Sequence, residues 1–127
     1  MRPALVIALA LTVAALVPAA DPQPDKVATS RDTVALLQRT CFECHGPEKQ
    51  KGDLRLDSRA AALVGGETGA AVVPGKADKG ELLRRVALPA GVEGAMPPRG
   101  NRLTAKQLQL LREWIDQDAD WPAAGAK

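Results

Sequence analysis

Both cysteines and the only histidine of this 127-residue chain fall within five consecutive positions, Cys41-Phe42-Glu43-Cys44-His45. Whatever fold the chain adopts must therefore bring two thiols and an imidazole to one point. A structural zinc site takes four protein ligands, and with no further Cys or His the chain offers three. A thioredoxin-like dithiol pair calls for a strand-helix-strand setting, and no alternating strand pattern flanks the motif. An exported disulfide would use both sulfurs and leave the adjacent His without a role. Two thiols at this spacing, with His directly after, suit covalent attachment of haem, the imidazole reaching the iron. The disulfide and redox-pair readings stand as its alternatives.

Composition points the same way. Hydrophobic residues make up 46% of the chain, yet its aromatics are only Phe42, Trp114 and Trp121. Aromatic side chains usually supply much of the buried area of a small core, and a porphyrin at the centre would be the missing flat apolar body. The length suits one domain. A net charge of +2 with interspersed basic and acidic residues excludes a nucleic-acid partner as the expectation.

Residues 1–20, "MRPALVIALALTVAALVPAA", have the plan of an export signal: Arg2 as the positive flank, an apolar run from Ala4 to Val17, and small residues after it for cleavage at Ala19 or Ala20. The alternative is an uncleaved membrane anchor, for which the run is slightly short. The expected location is extracytoplasmic, periplasmic or equivalent, with membrane association only if the signal is retained.

Residues 21–31 are polar, with two prolines, and read as a flexible leader. Helical periodicity starts near Asp32, where Ser30 or Asp32 can cap it; Val34, Leu37, Cys41 and Cys44 then place both thiols on the buried face of one short helix. A glycine-rich stretch follows. "LRLDSRAAAL" holds a short helical turn, and "GELLRRVAL" gives about two turns, stopped by Pro89. Thr104 and Gln107 have the form of a capping box ahead of Leu108, Leu111 and Ile115, with Trp114 bordering that stripe. The expected fold class is all-α, with long loops.

If haem is bound, His45 takes one face of the iron and the other can be argued by elimination. No second His exists, and apart from Met1 the only methionine is Met96, in the stiff loop "EGAMPPRG". A lone Met is most often a core filler, but this loop is poor in apolar neighbours. Met96 is the candidate sixth ligand.

With these residues in view, the sequence resembles the planctomycete-type cytochrome c domain, within the wider class I cytochrome c fold. The resemblance rests on "CFECHG", "KGDLRLDSR", "GG" followed by "VVPGK", "ELLRRV", "AMPPRG", "LTAKQLQLLREWI" and "WP", in family order from about Asp32 to Pro122. It implies three to five short helices wrapped around a single covalent haem c, with Cys41 and Cys44 as attachment points, His45 as proximal and Met96 as distal ligand. Domain limits are expected at 32–123, with a tail at 124–127. The sequence departs from the family at Gly80, where a capping Ser is frequent, and at Asp118-Ala119-Asp120, where Gly-Ala is more usual before the Trp.

Iron held on both faces has no free position for substrate, which makes outer-sphere electron transfer the expected task and catalysis the alternative, as a peroxidase-like enzyme or a haem-based sensor that displaces Met96. Lys49, Lys51, Arg99, Arg102 and Lys106 are candidates for a face that docks an acidic redox partner, set against a reading as solvated loop charge. Arg55, Arg84 and Arg85 are candidates for haem propionates. Trp114 and Trp121 are expected in ordinary core packing at helix ends, with packing near the haem as the alternative, and the chain is expected to be monomeric.

Overall fold

Trp114 is the largest side chain fully removed from solvent, and the fold is built around the helix that carries it. The structure, a computed structural model, describes residues 3–5, 7–17 and 25–122. Among these, four α-helices occur: α1 (Lys26–Thr40), α2 (Arg59–Val64), α3 (Glu81–Ala87) and α4 (Ala105–Asp116), with single 3-10 turns at Lys51–Asp53 and Ala77–Lys79 and no strand. α4 packs on both α1 and α3. Leu111, Trp114 and Ile115 on its inner face meet Leu37 of α1, Ala62 of α2, Leu82, Leu83 and Val86 of α3, and Leu56 and Val72 from the loops. The all-α expectation is met.

α4 forms as its sequence requires. Thr104 Oγ1 accepts from the Gln107 amide and the Gln107 side chain accepts from the Thr104 amide, so the box satisfies two donors that the first turn leaves free. Trp114, bordering the apolar stripe in sequence, is packed in the core near the helix end, as expected. Its indole N–H donates to the Asp120 carbonyl at 2.7 Å, and its ring meets Trp121 edge-on at 6.1 Å. Arg59 holds the same corner from α2, donating to the carbonyls of Ala119 and Asp118.

α1 begins earlier than periodicity indicates. Asp25 is its cap, accepting from the Val27 amide, so residues 26–31 are helix rather than flexible leader. The hidden signal is that its buried face starts with Thr29, Ser30 and Thr33, small polar side chains that a search for apolar residues passes over. Lys26 also reaches Asp120 across the domain at 2.8 Å. Residues 18–24 and 123–127 lie outside the described residues, and with them the signal-cleavage point, the first part of the leader and the tail. The described part of the apolar run has no regular secondary structure, and its large side chains are exposed, Leu16 at 98%. No helix among the described residues is long and apolar enough to cross a membrane.

Gly80 has a packing reason. The first amides of α3, Glu81 and Leu82, donate to the carbonyls of Ala70 and Ala71, so backbone does the work of a capping side chain. That brings the Ala71 oxygen within 2.3 Å of where a Cβ on Gly80 would sit. A serine there offers a cap worth about 1 kcal/mol, but forces backbone apart at a typical overpacking cost of about 1–3 kcal/mol. Gly80→Ser is therefore expected to lower the thermal midpoint by several degrees. An unchanged or raised midpoint in a calorimetric scan would refute the steric account.

Candidate haem site

α1 ends at Thr40, and both cysteines lie beyond it, which corrects the expectation that they share its buried face. Cys41 is the C-cap, its amide donating to the Leu37 carbonyl. Cys44 and His45 follow in a tight turn, their amides both donating to the Cys41 carbonyl at 3.2 and 2.9 Å. Gly46 lets the turn close, since a Cβ there would lie 2.3 Å from the Phe42 oxygen. The return segment is tied back by Lys51 N–H to the Cys44 carbonyl and Leu56 N–H to the His45 carbonyl. The thiols are unpaired and half-buried. Burial pushes the Cys41 thiol up; the Thr40 hydroxyl, 3.3 Å from its sulfur, works against that, and Cys44 adds to the rise.

This geometry separates the readings that the motif left open. No group of three or more His, Cys, Asp and Glu side chains among the described residues is arranged to hold a metal ion, which disfavours zinc at the motif. No disulfide joins the thiols, and no strand flanks them. A haem fits: two free thiols and one imidazole share a turn at the edge of an apolar core, and His45 Nδ1 is buried without a hydrogen-bond partner in the protein. Cys41, Phe42 and Met96 all pack against that core. Beside Met96 lies an open hollow of about 400 Å³, lined by residues of the 90–102 loop.

The Met96 loop is anchored to the end of α3. Met96 N–H donates to the Arg85 carbonyl at 3.1 Å, and the Arg85 guanidinium donates to the Gly94 carbonyl at 3.2 Å. Arg102 donates to the carbonyl of Pro97 at 3.1 Å, of Val86 at 3.1 Å and of Leu88. Arg102 is thus turned inward onto backbone, unlike Lys49, Lys51, Arg99 and Lys106, which are exposed. Sequence reasoning missed this role. The available signal was the Pro97-Pro98 pair, which removes amide donors and leaves carbonyls for a side chain to satisfy. The three propionate candidates all have protein partners: Arg55 binds Asp57, while Arg84 and Arg85 bind Glu81.

Arg84, and then Arg85, hold the Glu81 carboxyl well below the usual carboxylate range, at about 2. A folded value below the unfolded 4.5 means that the stabilisation is fully present above pH 4.5 and is lost as pH falls toward 2. Glu81 is a quarter exposed, and at such a solvent-screened site the ion pairs are worth about 1 kcal/mol or less. Glu81→Gln is expected to unfold at lower urea concentration at neutral pH, with the gap to wild type closing as pH drops from 4.5 to 2. A gap that persists at pH 2 would show that the effect is not ionic.

A helical domain with a Cys-x-x-Cys-His turn on its core defines a c-type, haem-binding protein. Residues 41–100 match the family model described as planctomycete cytochrome C, the family that the sequence resembles. The match runs from the first cysteine through the Met96 loop; α1 and α4, which pack together against it, lie outside the matched span. No curated protein and no solved structure matches the chain. That similarity points to haem c binding, to which the spacing of Cys41 and Cys44 is suited, and cytochrome c domains typically work outside the cytoplasm.

Proposed function

We propose that this protein is an exported monohaem c-type cytochrome that passes single electrons by outer-sphere transfer. Cys41 and Cys44 hold the haem, and His45 and Met96 bind its iron. When bound, the haem supplies a one-electron Fe(III)/Fe(II) couple. The turn after α1 fixes the His45 backbone through the Cys41 and Leu56 main-chain bonds, and the clamped 90–102 loop presents the thioether. The apolar core behind Cys41, Phe42 and Met96 keeps water from one side of the site.

The observation that carries this reading is the anchoring of Met96 by main-chain and side-chain bonds at a position with no other soft donor nearby in sequence. A lone sulfur on a tethered loop is suited to a permanent ligand, and a permanent ligand leaves no site for substrate. Exposed Lys49, Lys51, Arg99 and Lys106 supply positive charge for an acidic redox partner. The domain begins at Asp25, with residues 1–20 as a cleaved signal and the mature protein a monomer.

The test is protein made in the periplasm together with a haem-attachment system. The expected results are a c-type reduced-minus-oxidised spectrum, a mass gain of one haem on a chain starting after Ala19 or Ala20, reversible one-electron titration, and refusal of carbon monoxide by the reduced protein. Absence of covalent haem sinks the proposal, and rapid carbon monoxide binding favours an enzyme or sensor instead.

A further inference from the structure

We propose that Arg102 is a positioning residue that holds Met96 in place as a ligand, an inference that rests on the reading of Met96 as the sixth ligand. α3 is only two turns long, and its last carbonyls have no amide to accept from within the helix. Pro89 and Pro97-Pro98 remove three more donors from the surrounding chain. Arg102 fills this deficit with one rigid fork of donors. Its guanidinium reaches Val86 and Leu88 at the end of α3 and Pro97, the residue after Met96.

The consequence for Met96 is geometric. Its own amide is bonded to the Arg85 carbonyl, and the carbonyl of the following residue, Pro97, accepts from Arg102. The backbone on both sides of the Met96 Cα is therefore tied to the same helix end. Without Arg102 the N-terminal tie remains and the C-terminal one is lost, so the loop can swing and carry the sulfur away. A lysine in its place keeps the charge, but a single ammonium cannot reproduce a planar fork that bridges three carbonyls.

The experiment uses haem-loaded wild type with Arg102→Ala, Arg102→Lys, Met96→Ala and Arg59→Ala. Arg59 is the control, since it clamps the carbonyls of Ala119 and Asp118 at another corner and touches nothing in the Met96 loop. The readouts are the rate of carbon monoxide binding to reduced protein and the sulfur-to-iron charge-transfer band of the oxidised protein. Losing hydrogen bonds from a charged donor raises the open fraction of the loop by roughly ten- to a hundredfold. Both Arg102 variants should speed carbon monoxide binding by that factor and weaken the band, with Arg59→Ala behaving as wild type.

If Met96→Ala admits carbon monoxide while both Arg102 variants refuse it, the positioning role is wrong and the ligand assignment stands. If Arg59→Ala opens the site as far as Arg102→Ala, general loosening explains the effect and the positioning role is again wrong. If Met96→Ala changes neither readout, Met96 is not the ligand and both proposals fall.

Discussion

Protein carrying Cys41→Ala together with Cys44→Ala is expected to be largely unfolded. Of the fifteen buried hydrophobic residues among those described, five are alanines, which bury little area each. Trp114 is the one aromatic among them. Against this stand long loop segments, notably the return from His45 to Ser58, whose one regular piece is the 3-10 turn at Lys51–Asp53, and the 88–104 loop, each residue of which costs about 1–2 kcal/mol of backbone entropy to order. The covalent haem would supply apolar area at the edge where Cys41, Phe42 and Met96 meet solvent, and with it the tie between the motif and the Met96 loop. Circular dichroism of the purified double mutant is expected to show little helix and no cooperative thermal transition. A sigmoidal melt from native-like helicity would prove that the protein core suffices. Wild-type chain made without haem attachment should behave as the mutant does, which separates the loss of haem from any effect of the alanines themselves.

What could be read in the sequence is what short-range chemistry decides. The capping box of α4 needs only four neighbouring residues and was legible; the Cys-x-x-Cys-His motif was legible as a motif but not as a turn, since apolar periodicity carried the helix past Thr40. α3 was legible because Pro89 marks its end, and α2 as a short helical turn within "LRLDSRAAAL", whose cap, Ser58, only the structure identifies. The start of α1 was not, since Thr29, Ser30 and Thr33 are buried by the packing of the whole domain and carry no apolar signature. Trp114 was legible as core packing near a helix end, but its contacts with Asp120 and Trp121, beyond the last helical turn, were not. Gly80 looked like a missing cap until the Ala71 carbonyl was seen to occupy the space. Arg102 looked like a surface charge for a comparable reason. Its three acceptors lie 5 to 16 residues away along the chain, and only the fold gathers them. Of the five candidates for a basic docking face, Arg102 is thereby removed and the other four are exposed.

Met96→Ala is expected to leave the haem attached and to shift its chemistry by the largest amount of any single change outside the motif. Thioether ligation favours Fe(II) over Fe(III), because a soft neutral sulfur stabilises the lower charge. Axial-ligand identity commands a span of roughly 0.8 V, and loss of the sulfur should take a few tenths of a volt from the reduction potential. The loop should also lose its grip. About 50 residues separate His45 from Met96, and a link across a loop of that length that survived unfolding would be worth roughly 4 kcal/mol, an upper limit because an iron-thioether bond can open in the unfolded chain. The remaining ties are Met96 N–H to Arg85 and the Arg102 clamp, which do not depend on the thioether. The mutant should therefore stay folded, melt earlier than wild type, and titrate at a lower potential with covalent haem intact. Potentiometry on the two proteins under identical buffer decides the matter. Equal potentials would mean that another side chain holds the sixth position, with the exposed lysines Lys49, Lys51 and Lys106 the first to replace.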